Sequence, residues 1–172
     1  SGTTGMPKGV MIEQKSILNL LFDQKEKFSL QESVNVLQYA SYVFDASVWE
    51  IFIALSNGLT LVVIDEKARV DINKLSEFIF DKKISITLLP PVIIEHLPLS
   101  VFNQLDTLVT GGDKLSQTIV SNDYNSQKLI NAYGPTECTV CASIHKYNHG
   151  DINTNIGKPL NNIKLYILDS QN

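Results

Sequence analysis

Little in this chain could cross-link it, anchor it in a membrane or attract a polyanion. Its 172 residues include only two cysteines, three histidines and one tryptophan. The cysteines, Cys138 and Cys141, bound a Cys-Thr-Val-Cys stretch. That spacing suits a redox pair or half of a zinc site. A closed zinc site needs four ligands, and His96, His145 and His149 supply no second pair at ligand spacing beside it. On a strand the two sulfurs would point to opposite faces, so two reduced thiols in a cytoplasmic protein is the plainer expectation. No apolar run reaches the roughly 18 residues of a membrane span. No basic stretch leads into an apolar one at the start, so no secretory leader is expected. Like charges form no block and the net charge is only −4, so neither nucleic acid nor an anionic membrane is an expected partner. Internal repeats and low-complexity linkers are also lacking. The first residue is Ser rather than Met, and the chain reads as an excerpt of a longer protein.

What is present argues for a packed core. Hydrophobic residues make up 44% and charged residues 19%, a balance that disfavours disorder. Val10–Ile12 reads as a short strand. Ile17, Leu18, Leu20, Leu21 and Phe28 give a helix over 14–28. Residues 35–39, 60–64, 84–89, 105–110, 128–132, 140–144 and 164–168 read as strands. Between them, Asp45 and Asp71 stand where N-caps would open helices, the second running to about Lys82. Asn57-Gly58 closes the first. Pro91 suits the first turn of a helix reaching His96, and a further helix covers 115–122. Strands alternating with helices make an α/β fold with a mostly parallel sheet. In such sheets, ligands bind beyond the carboxyl ends of the strands. The loops around Phe44, Pro90, Gly111 and Tyr133 are therefore the expected site.

Two stretches carry phosphate chemistry. Ser1-Gly2-Thr3-Thr4-Gly5-Met6-Pro7-Lys8-Gly9 combines glycines, hydroxyls and one Lys. Glycines let backbone N–H groups turn toward an anion, while the hydroxyls and Lys8 add donors and charge. The Walker pattern differs, because there the Lys follows Gly and precedes Ser or Thr. Asn131-Ala132-Tyr133-Gly134-Pro135-Thr136-Glu137 follows a strand. It offers an aromatic face for a base, a turn, a hydroxyl for a phosphate and a carboxylate for Mg²⁺.

Both strings resemble signatures of the adenylate-forming (AMP-binding) superfamily of acyl- and aryl-CoA ligases, luciferases and peptide-synthetase adenylation domains. The resemblance implies that Ser1, Gly2, Thr3, Thr4, Gly5 and Lys8 hold the phosphates of ATP. It also implies that Tyr133 packs on adenine beside Gly112, Asn131 and Gly134, that Thr136 touches the α-phosphate and that Glu137 binds Mg²⁺. Lys8, Thr136 and Glu137 would be the catalytic residues. Ile156-Gly157-Lys158-Pro159-Leu160 resembles a further, structural element of the family.

Phe44-Asp45-Ala46-Ser47-Val48-Trp49-Glu50 has a plain reading as a capped helix with Trp49 in the core. It is also similar to a segment of nonribosomal-peptide-synthetase adenylation domains, whose Asp pairs with the substrate ammonium. Carried over position by position, the substrate pocket would comprise Asp45, Ala46, Trp49, Leu88, Val109, Gly111, Ala132, Val140 and Cys141. All but Asp45 are apolar or small, which disfavours a polar substrate and implies a hydrophobic amino acid, Leu or Phe foremost. The implied reaction forms an aminoacyl-AMP from ATP and passes the acyl group to a phosphopantetheine thiol on a peptidyl carrier domain. Two other readings within the superfamily are an acyl- or aryl-acid-CoA ligase and a D-alanine–carrier-protein ligase. One from another class is a catalytically silent domain that binds a nucleotide or partner. The chain corresponds to the central part of an adenylation domain. The ribose-gripping Asp and the Lys of the small C-terminal domain are not among these residues, so low activity of the isolated 172-residue chain is expected.

Overall fold

The computed structural model describes residues 9–28, 30, 34–121 and 128–169. In order, its elements are α1 (Gln14–Lys27), β1 (Asn35–Gln38), α2 (Asp45–Ser56), β2 (Thr60–Val63), α3 (Glu66–Arg69), α4 (Ile72–Asp81) and β3 (Ile84–Leu88). They continue with α5 (Pro91–Ile94), α6 (Leu99–Gln104), β4 (Thr107–Gly111), α7 (Gln117–Val120), β5 (Leu129–Tyr133), β6 (Ser143–Lys146) and β7 (Lys158–Pro159). The strands form one sheet in the order β2-β1-β3-β4-β5-β6-β7. From β2 to β5 the pairing is parallel; β6 and β7 continue antiparallel. The mostly parallel α/β expectation therefore holds.

Alternation along the strands explains two cores, one on each face. Leu37, Leu108 and Leu129 point to a cluster with Leu75 and Ile79 of α4 and Val101 and Phe102 of α6. Their neighbours Val36, Val109 and Ile130 point the other way, to Leu20 and Leu21 of α1 and Trp49 and Ile53 of α2. Buried on both faces, these strands read as apolar runs.

Several expectations need correction. Val10–Ile12 and Lys164–Leu168 form no strand. Neither pairs with a neighbour among the described residues, and apolar composition without a ladder partner makes no strand; Met11 and Ile167 are exposed. Residues 140–142 are likewise not strand, because Thr139 and Val140 have φ of 62° and 69°. That left-handed backbone breaks pleating, so β6 starts at Ser143. The helix from Pro91 ends at Ile94, short of His96, and the one expected over 115–122 is only the turn α7. Four-residue α3 and six-residue α6 are too short for helical periodicity to announce them.

The two aspartates expected to cap helices differ. Asp71 is an N-cap, accepting from the N–H groups of Asn73 at 3.0 Å and Lys74 at 3.2 Å. Asp45 is the first residue inside α2; Phe44 occupies the N-cap position and no side chain caps that end. Its carboxylate is left for other use.

Glu50, on the buried side of α2, ties the β1–α2 loop to the helix. Both its oxygens lie 3.1 Å from the Ala40 N–H, and Gln38 Nε2 donates to it at 3.3 Å. Burial pushes its pKa up to about 7, against the lowering effect of those hydrogen bonds.

Two predictions follow from these contacts. Asp71→Ala should lower unfolding free energy by about 1 kcal/mol in denaturant titration, while Asp45→Ala should show no capping loss. For Glu50 the folded pKa lies above the unfolded one, so both states are protonated below pH 4.5. The charged carboxylate then costs the fold progressively up to about pH 7. The cost reaches roughly 3 kcal/mol and is constant above that pH. Glu50→Gln should therefore gain stability relative to the unsubstituted protein between pH 4.5 and 7; parallel stability–pH curves for the two would contradict this.

Candidate functional site

The parallel strands β1, β3, β4 and β5 end at one edge of the sheet, so the loops that follow them converge. Between these loops lies a cleft of about 570 Å³. Asp45 and Ala46 from the start of α2, Leu88 from β3, Gly111 from β4, Ala132 from β5 and Val140 line it. The register that sets Gly111 beside Ala132 brings the last two together. A Cβ on Gly111 would stand 2.6 Å from the Ala132 carbonyl oxygen, so only glycine lets the two strand ends approach this closely.

Three of the residues assigned to the substrate pocket are not in the lining. Trp49, Val109 and Cys141 are buried in the core shared by α1 and α2, against which the cleft residues Leu88, Ala132 and Val140 pack. Trp49 thus satisfies its plain reading as a core residue. The Asp45 carboxylate, half-buried at the cleft wall, makes no hydrogen bond or ion pair to any described residue.

Sequence reasoning missed the rim. Tyr39, Glu66 and Arg69 line the same cleft. Arg69 pairs with Glu66 on α3, and the Tyr39 hydroxyl donates to the Arg69 carbonyl at 3.3 Å. Burial raises the pKa of Tyr39, so it stays a neutral donor. The signal was available: α3 follows the carboxyl end of β2, the one parallel strand whose loop the sequence reading did not single out.

A second recess of about 500 Å³ adjoins the cleft across Gly112, Ala132 and Gly134. Asn131 and Tyr133 line it, with Asn153 and Ile156 opposite. Tyr133 is 51% exposed, so its side chain is accessible to a partner entering this recess. Gly134 is pressed against the chain at Cys141, where a Cβ would meet Cys141 Cα at 2.7 Å and Ala142 N at 2.5 Å. The Asn131 side chain donates to the Asn155 carbonyl at 2.9 Å. It therefore acts on the facing loop, with that donor no longer free for a ligand. Asp151 anchors this loop, accepting from the Asn148 N–H at 2.7 Å and meeting His145 Nε2 at 2.7 Å; these hydrogen bonds hold its carboxyl below the usual range.

Thr136 and Glu137 lie on a single 3-10 turn, Thr136–Cys138. Thr136 lines a third recess, of about 710 Å³, together with Asp45, Val140 and α1 residues. Glu137 instead borders a recess with Lys15, Cys138 and Cys141, apart from Tyr133. Ser1, Gly2, Thr3, Thr4, Gly5 and Lys8 lie outside the described residues; Val10, two positions after Lys8, lines the recess that holds Asp45 and Thr136.

The residues present fit the implied groups. Exposed Tyr133 and Gly112, which has no Cβ, share a recess of about 500 Å³ with room for a base. No cluster of three or more metal-binding side chains occurs among the described residues. Mg²⁺ at nucleotide sites needs only one or two carboxylates, with phosphate oxygens completing its shell, and exposed Glu137 suits that.

Comparison with known proteins gives the family and the fold. The family model described as AMP-binding enzyme matches residues 1–172. The chain is 41% identical over 169 residues to bacitracin synthase 1 of Bacillus licheniformis, covering 98% of this chain and 3% of that protein. It is 39% identical over 172 residues to gramicidin S synthase 1 of Brevibacillus brevis, covering 98% of this chain and 16% of that one. The chain thus spans a small part of these relatives. Among solved structures it is similar to the Vibrio cholerae adenylation domain AlmE in complex with glycyl-adenosine-5'-phosphate. That match has a TM-score of 0.80 and 29% identity, covering 92% of this chain and 32% of that one. With its whole length matched by the family model, the chain belongs to the AMP-binding enzyme family.

Proposed function

We propose that this chain supplies the central part of an adenylation domain that activates a hydrophobic amino acid, Leu or Phe foremost, for nonribosomal peptide synthesis. The observation that carries the reading is the Asp45 carboxylate, unpartnered among the described residues at the wall of an otherwise largely apolar cleft. A charge held against such walls needs an opposite charge to offset its desolvation, and the α-ammonium of an amino acid supplies one. The apolar lining from Ala46, Leu88, Gly111, Ala132 and Val140 then takes the side chain. Trp49, Val109 and Cys141 back that lining from the core.

The amino-acid carboxylate attacks the α-phosphorus of ATP. A new P–O bond forms, the bond to the β-phosphate oxygen breaks and pyrophosphate leaves. The protein's part is alignment and charge dispersal. Adenine lies on Tyr133 in the recess walled by Gly112, Asn131 and Gly134. The Thr136 hydroxyl donates to the α-phosphate, and Lys8 with the Ser1–Gly5 segment receives the pyrophosphate. Glu137 would hold Mg²⁺, which supplies neutralising charge on the phosphate oxygens. A phosphopantetheine thiol of a carrier domain would then take the aminoacyl group as a thioester, with cleavage of the acyl–phosphate bond and release of AMP. The Bacillus and Brevibacillus peptide synthases among the relatives support this reading.

The test is ATP–pyrophosphate exchange by the intact parent adenylation domain, of which these residues are the central part, across amino, aryl and fatty acids. Exchange led by Leu or Phe is expected. Asp45→Ala should reduce kcat/KM for the amino acid by about 100-fold or more, as loss of a desolvated charge partner does. Exchange led by an acid without an amino group would move the protein to the acyl- or aryl-ligase branch, and silence with every acid would overturn the reading.

A further inference from the structure

Behind the cleft lining, a residue of α1 joins two of the residues assigned to the substrate pocket. Gln24 is 1% exposed. Its side-chain oxygen accepts the Trp49 indole N–H, and its amide nitrogen donates to Cys141 Sγ at 3.5 Å. Phe28, just after α1, meets Trp49 edge-on, with ring centroids 6.2 Å apart and planes at 68°. The indole is therefore held at its N–H and at its ring. Cys141 follows Val140, which lines the cleft. Burial, with the nearby charges of Asp23 and Asp45, pushes the Cys141 thiol up to about 12, so its sulfur stays a neutral partner.

Glutamine is a costly choice for this position. A Met or Leu would fill much the same space without burying an amide. A buried amide contributes little net stability once its own desolvation is counted. What it adds is direction, since a hydrogen bond constrains orientation where apolar contact tolerates sliding.

We propose that Gln24 is a positioning residue for the substrate cleft: by holding the Trp49 indole and the Cys141 thiol together, it fixes the depth of the floor and thereby the size of side chain the cleft accepts. The proposal rests on the reading of that cleft as the amino-acid pocket. Specificity would then depend on α1, an element that contributes none of the assigned pocket residues.

The experiment is amino-acid-dependent ATP–pyrophosphate exchange by the intact parent adenylation domain, with alanine, valine, leucine, phenylalanine and tryptophan as substrates. Gln24→Met, close in volume but without the amide, should lower kcat/KM for the preferred amino acid about tenfold, chiefly through KM. It should also narrow the preference over the next larger and smaller side chains, with KM for ATP unchanged. Gln24→Glu, which keeps an acceptor for the indole, should recover part of that preference. Gln24→Leu is read in the same way where the Met variant does not accumulate as folded protein. Preference ratios equal to those of the unsubstituted protein, a uniform loss across all five substrates, or loss of fold in both apolar variants would each overturn the proposal in favour of a purely structural glutamine. Failure of the underlying reading looks different: the unsubstituted protein itself would then exchange with no amino acid. If Gln24 alone is misassigned, that exchange and its loss in Asp45→Ala remain.

Discussion

The pairing of β4 with β5 is the constraint on which the rest of the site depends. Leu108 faces Leu129 and Gly111 faces Ala132 in one parallel register. The same four-residue ladder divides the two cores, Leu108 and Leu129 facing one and Val109 and Ile130 the other. At its carboxyl end it places Gly111 and Ala132 in one cleft, and Gly112, Ala132 and Gly134 on the wall shared with the neighbouring recess. A slip of one residue would exchange the faces of every side chain. It would also carry a Cβ into the position that Gly111 leaves empty. On the proposed function, the amino acid and the nucleotide would thus be brought together by backbone spacing before any side chain acts.

Around that ladder, polar contacts set the loops rather than the strands. Glu50 gathers the Ala40 N–H and Gln38 beneath the β1–α2 loop. Asn131 and Asp151 hold the 148–157 segment across the Tyr133 recess. Glu50 and Asn131 reach from regular elements, and Asp151 from within its own loop, to backbone groups of irregular chain. Such groups lack ladder partners and need them from elsewhere. The left-handed pair Thr139 and Val140 belongs to the same logic. Each such non-glycine residue costs roughly 1–2 kcal/mol, and the bend they make turns the chain from the 3-10 turn into β6 with Val140 facing the cleft.

Most of the layout was legible because burial on both faces writes strands as apolar runs, and because loops after strands carry the glycines and prolines. The alternation of elements and the convergence of the loops around Phe44, Pro90, Gly111 and Tyr133 could be read without coordinates. The misses have physical causes. Lys164–Leu168 has strand composition, yet a strand is a relation between two segments, and composition cannot supply the second. Asp45 and Asp71 look alike in sequence. Whether such a residue stands at the N-cap or one step inside is decided by the backbone angle of its predecessor, which a pattern does not encode. Trp49 carried two readings, and helix phase together with the amide of Gln24 chose the core. Gln24 itself had no signal, since a polar residue on a helix reads as solvent-facing until its partners are seen.

The two cysteines, three residues apart, differ in ways that reach beyond folding. Cys138 is exposed at the end of the 3-10 turn, beside Glu137, whereas Cys141 is buried with its thiol pushed up to about 12. Alkylating reagents attack the thiolate and need access to it, and Cys141 offers neither near neutral pH. Within these 172 residues, which contain no other cysteine, a maleimide dye or spin label would report from a single place, beside the carboxylate proposed to hold Mg²⁺. Within this chain, Cys138 thus offers an attachment point for a probe of that turn, with no engineered residue required.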